Sequence, residues 1–359
     1  MFRIKHISLF QFRNYHQSRF DLTERIAAIC GPNGSGKTNL LDAIHFLCFT
    51  KGYFNKTDAQ SVEQGTAGFN ITGQFETKGT ALPVSVILRE NNKKELWVEK
   101  DMVTPFSNHI GKLPLVFIAP DDIILITGAS EERRRNMDTI LSQTDHEYLV
   151  QLIRYNKCLL DRNKYLKNLD GSMPDEILLD GFDDQLAKSG IILLKKRISF
   201  LEGFLPKVKE LYAYISSEKE EISLFPSFST LPENYLQDLH RNRSRDIYLQ
   251  RTAIGIHKDD IEITMKANPF KQMASQGQKK SLLFAIKLAE FEWLKQYFGF
   301  PPILLLDDIF EKLDQERLLK LLDWVGVKND GQVIMTDTHA SRIKACLDEI
   351  SLPYQLITT

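Results

Sequence analysis

The segment that most constrains the fold is Gly31-Pro-Asn-Gly-Ser-Gly-Lys-Thr38. The apolar run Arg25-Ile-Ala-Ala-Ile-Cys30 precedes it, and Asn39-Leu-Leu-Asp-Ala-Ile-His-Phe-Leu47 follows, with Leu40, Ala43, Ile44 and Leu47 on one stripe at helical spacing. Strand, glycine loop and helix in that order predict an α/β domain with a phosphate site. Gly31, Gly34 and Gly36 let successive backbone N–H groups turn inward around phosphate oxygens, with Pro32, Asn33 and Ser35 completing the loop. The helix behind them directs its positive end at the same anion. Lys37 is then expected to reach the β- and γ-phosphates of ATP, and Thr38 to put its hydroxyl on Mg2+.

Two later segments complete the pattern. Ile303-Leu-Leu-Leu306 reads as a buried parallel strand, which places Asp307 at the sheet edge as the second residue for Mg2+. The next residue is Asp308, where most ATPases of this kind carry glutamate to activate the attacking water. A side chain one methylene shorter stands back from that water, and placement errors near 1 Å cost on the order of a hundredfold in rate, so slow hydrolysis is expected of the catalytic group Lys37, Asp307 and Asp308. Ala274-Ser-Gln-Gly-Gln278 opens a helix that reads as amphipathic, with Leu282, Ile286, Ala289 and Trp293 on one side. Ser275 is placed as its N-terminal cap and Gly277 allows close backbone approach, which makes a second helix-terminus anion site. The first site does not need it. The order of the three segments is that of ABC-type ATPases, in which Ser275, Gln276, Gly277 and Gln278 would contact the nucleotide held by the opposite subunit of a homodimer.

The 359 residues favour two compact units over one. The formal charge of −1 excludes a global polybasic character, so any nucleic-acid contact is a local patch. The cysteines, Cys30, Cys48, Cys158 and Cys346, have no C-x-x-C spacing and fit a reducing cytoplasm. The chain has no signal-peptide pattern and no apolar run of membrane-spanning length, so a cytoplasmic protein without a membrane partner is expected. Residues 67–119 read as strands with a hairpin around Glu90-Asn-Asn-Lys93. Between about Asp121 and Arg245 the pattern is helical, and Ile191, Leu194, Ile198, Leu201, Leu205, Val208 and Leu211 form a packing seam interrupted by Pro206. The expected organisation is an α/β, ABC-type P-loop head from residues 1–120 with 246–359, β-rich in its N-terminal part, and a compact helical insertion lobe at 121–245.

Further segments carry a family resemblance: Phe12-Arg-Asn-Tyr15, Ile118-Ala-Pro-Asp-Asp-Ile123, Glu132-Arg-Arg-Arg135 with Asp138, Arg162-Asn163, Gly255-Ile-His-Lys-Asp-Asp260 and Leu313-Asp314. Together with the three ATPase motifs they run along nearly the whole chain, which resembles the RecF family of bacterial recombination-repair ATPases, related to Rad50 and SMC heads. The resemblance implies ATP-dependent dimerisation on single-stranded or gapped DNA, with RecR and RecO mediators and the RecA recombinase as partners. It places Asp314 in a dimer-facing loop. Thr50-Lys-Gly-Tyr-Phe-Asn-Lys56 departs from the family's Ser-x-Arg stretch, and no glutamine ends the strand at Ala119. His339 follows a strand and is either a γ-phosphate sensor or a surface or capping residue. Arg241, Arg243 and Arg245 are the better of the candidate DNA contacts, with solvated helix faces as the alternative for each basic run. An SMC-like chromosome-organising ATPase is the second reading of function. A transporter ATPase subunit is the third, and the helical insertion is hard to fit to it.

Overall fold

The computed structural model describes residues 2–55, 57–169, 172–217, 220–308, 315–349 and 353–359. In chain order the strands and helices are β1 (Arg3–Phe12), β2 (Tyr15–Asp21), β3 (Ile26–Cys30), α1 (Lys37–Phe49), β4 (Phe69–Thr77), β5 (Thr80–Leu88), β6 (Lys94–Val98), β7 (Asp101–Met102) and β8 (Leu115–Ile118). A helical stretch follows: α2 (Ile124–Thr127), α3 (Ser130–Thr144), α4 (His146–Lys167) and α5 (Glu176–Ile215). Then come β9 (Ser223–Ser227), α6 (Tyr235–Arg241), α7 (Arg243–Leu249), β10 (Asp260–Met265), β11 (Asn268–Pro269) and α8 (Phe270–Met273). The chain closes with α9 (Gln276–Phe298), β12 (Ile303–Leu306), α10 (Gln315–Asp323), β13 (Val333–Asp337), α11 (Ala340–Glu349) and β14 (Gln355–Thr358).

One compact unit comprises residues 1–122, 211–219 and 276–359. Its centre is a parallel sheet in the order β14-β3-β13-β12-β8, so strands from both ends of the sequence lie side by side. Strands β3, β8, β12 and β13 are buried at every position, as expected of strands covered on both faces. An antiparallel sheet, β2-β1-β4-β5-β6-β7, supplies the second layer. Its inward residues Ile4, Ile7, Leu9, Phe12, Ile71, Phe75, Val84 and Val86 share one core with Leu40, Ile44 and Leu47 of α1. The expected hairpin is present, closed where the Arg89 amide donates to the Lys93 carbonyl at 2.9 Å.

The second unit comprises residues 123–210 and 220–275. It differs from the expected lobe in its boundaries: residues 220–275 group with it, so the stretch 246–275, assigned in sequence to the head, packs with the lobe. The unit also contains a small antiparallel sheet, β11-β10-β9. β9 carries a proline and no fully buried residue, and so lacks the alternation that marks a strand.

Two helices depart from their sequence patterns. α5 begins at Glu176 and is 40 residues long, roughly 60 Å, and it continues through the exposed Pro206. Leu194, Leu201, Leu205, Val208 and Leu211 of the expected seam are buried, Ile191 and Ile198 are half-buried, and Leu193, Arg197, Phe200 and Phe204 widen the buried face. Arg197 belongs to this core because carboxylates meet it there. α9 is not amphipathic. Leu282, Leu283, Phe284, Ala285, Leu288, Ala289 and Phe291 are buried around most of its circumference, with Lys287 and Glu290, while Ile286 and Trp293 are half-buried.

Candidate nucleotide-binding site

The register of the parallel sheet brings three strand ends together. β3 pairs with β13 up to Cys30 and Asp337, and β13 pairs with β12 up to Met335 and Leu306. The glycine loop leaves β3, Asp307 leaves β12, and Thr336 and Asp337 end β13. All three lie at the carboxyl edge, where open α/β sheets bind ligands.

At that edge the Thr38 hydroxyl donates to both carboxylate oxygens of Asp307, 3.0 Å each. The Thr336 hydroxyl donates to Asp307 Oδ1 at 2.7 Å and accepts the Asp308 amide at 3.0 Å. Thr336 was not singled out in the sequence, where a threonine at a strand end carries no distinguishing signal. Lys37 is buried, and its Nζ donates to the carbonyls of Gly31 and Pro32 at 2.8 and 2.9 Å. Among the described residues neither Lys37 nor Asp307 makes an ion pair. Burial is the main cause that holds the Asp307 carboxyl above its ordinary pKa, and the neighbouring Asp308 adds to it. The hydroxyls of Thr336 and Thr38 and the charge of Lys37 oppose the rise. A buried anion held by hydroxyls and a buried cation held by neutral carbonyls therefore stand at one sheet edge without a direct ion pair.

The loop is shaped for an anion. Gly34 has φ 81°, and a Cβ there would meet no atom within 4 Å, so the space over it is open. Gly36 caps α1 at φ 108°, where a Cβ would lie 2.7 Å from Asn14 Nδ2 and from the Tyr15 hydroxyl. Only glycine fits this close approach. A hydroxyl and one carboxylate are also the small protein donor set that Mg2+ takes when phosphates and waters complete its octahedron. The residues fit an ATP·Mg2+ group.

A second group of side chains fixes the loop and its helix. Arg13 donates to Asn39 Oδ1 at 3.0 Å and pairs with the buried Asp42, while Asn39 donates to Asn14 at 2.7 Å. Asp42 also accepts the Tyr53 amide at 2.6 Å. This gives Phe12-Arg-Asn-Tyr15 a physical role. An aspartate within the apolar stretch Leu40-Leu-Asp-Ala-Ile44 was the available signal. Beyond β8, Asp122 accepts the Ala119 amide at 2.8 Å and the Tyr53 hydroxyl, and Lys287 of α9 lies 3.9 Å from it and 3.5 Å from Glu290. Tyr53 lies in the divergent 50–56 segment, so that segment meets both Asp42 and Asp122.

Ser275 and Gln276 are exposed where α9 starts, and Gly277 and Gln278 are half-buried in its first turn. Asp308 is half-buried at φ 47°. His339 is exposed just beyond β13, and its amide donates to Asp337 Oδ1 at 2.7 Å, with Arg342 bonded to the same carboxylate. The backbone at His339 is thus held by Asp337, and its ring faces solvent. Asp314 lies outside the described residues.

The basic runs resolve differently. Arg133 pairs with Asp260 at 2.7 Å, and Asp138 is taken by Arg197, 2.7 Å away. Arg243 is engaged by Glu176, Asp180 and Asp183 at 3.0, 2.5 and 2.7 Å, which removes it from the candidate DNA contacts. Arg241 is exposed, 3.8 Å from Asp238, and Arg245 is exposed without an ion pair among the described residues. No helix among the described residues is long and apolar enough to cross a membrane.

The model of the RecF/RecN/SMC N-terminal domain matches residues 3–352. The DNA replication and repair protein RecF of Cytophaga hutchinsonii is 39% identical over 340 residues, 94% of this chain and 90% of that protein. RecF of Flavobacterium johnsoniae is 38% identical, with 98% of each chain covered. A solved structure of the recombination mediator protein RecF-ATP in the RecFOR pathway superposes with TM-score 0.87 at 26% identity, covering 95% of this chain and 93% of that one. An Smc head domain from Pyrococcus furiosus, at TM-score 0.56 and 16% identity, shares the fold.

Proposed function

This chain belongs to the RecF family, and we propose that it is a DNA replication and repair ATPase that ATP closes into a homodimer on single-stranded or gapped DNA. The observation that carries the reading is the pair of buried charges without a direct ion pair at the sheet edge, Lys37 and Asp307, with Thr38 between them beside an open glycine loop. Residues 31–38 hold the phosphates, with Lys37 turning from its two carbonyls toward the β- and γ-phosphates. Thr38 and Asp307 hold Mg2+, which when bound supplies the positive charge that neutralises the phosphates. Thr336 keeps the Asp307 carboxylate aimed at that position.

Asp308 orients the attacking water from a short side chain on a left-handed backbone, which supports slow hydrolysis that resets the dimer. His339 stands beside this edge as the γ-phosphate sensor. Ser275 to Gln278 close the nucleotide of the opposite subunit, as does the segment containing Asp314. The exposure of Ser275 and Gln276 at the head of a 23-residue helix supports that role. Arg241 and Arg245 are the remaining lobe candidates for phosphate contacts along DNA. RecR- and RecO-type mediators and the RecA recombinase are the partners proposed from the family, in the cytoplasm.

The test is a size measurement with and without ATP, in the presence of gapped DNA, for the wild type and for Ser275→Arg. The wild type is expected to become dimeric with ATP, and the variant to bind ATP yet stay monomeric. A wild type that remains monomeric with ATP and gapped DNA would refute the clamp.

A further inference from the structure

We propose that the solvent face of α4 is a docking surface for an acidic amphipathic helix of a partner protein. The helix has two opposite rows at heptad spacing. Tyr148, Tyr155 and Arg162 are fully buried on one side, with Cys158 and Leu166 beside them. On the other side run Ile153, Lys157, Leu160, Lys164 and Lys167, at alternating steps of four and three. That is the spacing of a coiled-coil seam. Ile153 is 51% exposed and Leu160 69%, where burial is the ordinary fate of both residue types. Leu149, half-buried one turn earlier, extends the apolar row.

Charge selects the occupant. Arg154, Lys157, Lys164 and Lys167 are all exposed, and none has an ion pair among the described residues. The arginines of the neighbouring core are in contrast bound to carboxylates. Between Tyr148 and Lys167 the sequence has one acid, Asp161, and Glu147 before them is paired with Lys196. A second copy of α4 laid against this face would set lysine against lysine, which excludes self-pairing. A nucleic-acid backbone would satisfy the cations and leave Ile153 and Leu160 in water, since phosphates offer no apolar complement. A helix with an apolar seam flanked by glutamates or aspartates satisfies both. The seam from Ile153 to Lys167 is roughly 21 Å long, about four turns of such a partner.

The probe is a fluorescent peptide about 18 residues long, five turns, with leucines at seam positions and glutamates beside them. A scrambled peptide of the same composition and a short single-stranded oligonucleotide serve as controls. Anisotropy titrations with the full chain should give saturable binding of the amphipathic peptide and none of the scrambled one. Leu160→Asp should weaken it about tenfold or more, and so should the double variant Lys157→Glu/Lys164→Glu, which changes only exposed side chains. A peptide with lysines in place of the glutamates should bind the double variant and not the wild type. Four results would overturn the proposal: equal binding of both peptides, no binding of either, displacement of the amphipathic peptide by the oligonucleotide, or self-association of the chain that Leu160→Asp abolishes.

Discussion

The buried cations of the lobe and the buried lysine of the head carry the same charge in opposite company. Arg162 reaches Asp183 and Asp246 at 2.9 and 2.8 Å, and Arg197 reaches Asp138 and Asp259 at 2.7 and 2.9 Å. Lys37 meets two neutral carbonyls, and Asp307, the buried acid of its site, meets two hydroxyls. A buried charge without a counter-charge is costly, so a fold keeps one only where something arrives to neutralise it. Charges that the fold completes by itself are architecture, and charges it leaves open mark the site. This distinction reassigns Arg243 from candidate ligand to internal strut, and Arg133, paired with Asp260, is a strut as well.

The largest effect should come from breaking an architectural charge. Arg162→Ala leaves Asp246 buried without a cation and Asp183 with Arg243 alone, and unfolding in urea should show a loss of about 3–5 kcal/mol. A loss under about 1 kcal/mol would mean that the lobe does not need the pair.

Opening the site charge should do the reverse. In Asp307→Asn, ATP hydrolysis should fall by about a hundredfold or more, because metal-centred charge stabilisation is worth several kcal/mol. Stability without nucleotide at pH 7 should be unchanged or higher. The folded carboxyl sits above its ordinary pKa, so it costs stability above that ordinary value, and the cost disappears as pH falls through the folded value. Thermal unfolding without Mg2+ measures this. A marked destabilisation would put Asp307 with the architectural charges.

Within a single basic run the comparison should split. Arg243→Ala should lower stability by about 1–2 kcal/mol through its three carboxylate contacts. Arg245→Ala should change stability by less than about 0.5 kcal/mol. If it touches DNA, its loss lowers the slope of log affinity against log salt by about 0.9. Weakened DNA binding in a stable Arg243→Ala would reverse the assignment.

The smallest effect concerns Glu290, whose pairing is intermediate: Lys287 approaches at 3.5 Å, and Glu290 Oε2 has no hydrogen bond. Burial raises its pKa to about 7, with Asp122 adding to the rise and Lys287 opposing it. The folded state therefore holds this proton more tightly than the unfolded chain. Its contribution to stability is present at acidic pH and is lost as pH rises toward 7. Urea midpoints at pH 5 and 8 should differ less in Glu290→Gln than in the wild type.

Much of the site was legible because its chemistry dictates residue types at short range. A glycine loop must have glycines at its turns, and it needs a strand before it and a helix after. The acidic pair ending Ile303-Leu-Leu-Leu306 is recognisable by the same logic. Thr336, Arg13 and Asp42 were not legible as site residues from the chemistry of their own segments, since each acts through a charged or hydroxyl partner 29 positions away. The full width of the buried face of α5 and the buried circumference of α9 were not legible for a related reason. Apolar periodicity assumes that charged residues face water, and here Arg197, Lys287 and Glu290 face inward. The lobe boundary failed at 246–275 because strand β10 pairs with the proline-bearing β9, which has no strand signature.

The sequence by itself determined the P-loop head, the order of its motifs and the family, because local backbone geometry and phosphate chemistry leave few alternatives to those residues. Tertiary structure alone decided which charges are spent and which are open. That depends on the carboxylate, carbonyl or hydroxyl that folding brings within 3 Å of a side chain, and low-dielectric burial turns that choice of neighbour into the difference between a strut and a site.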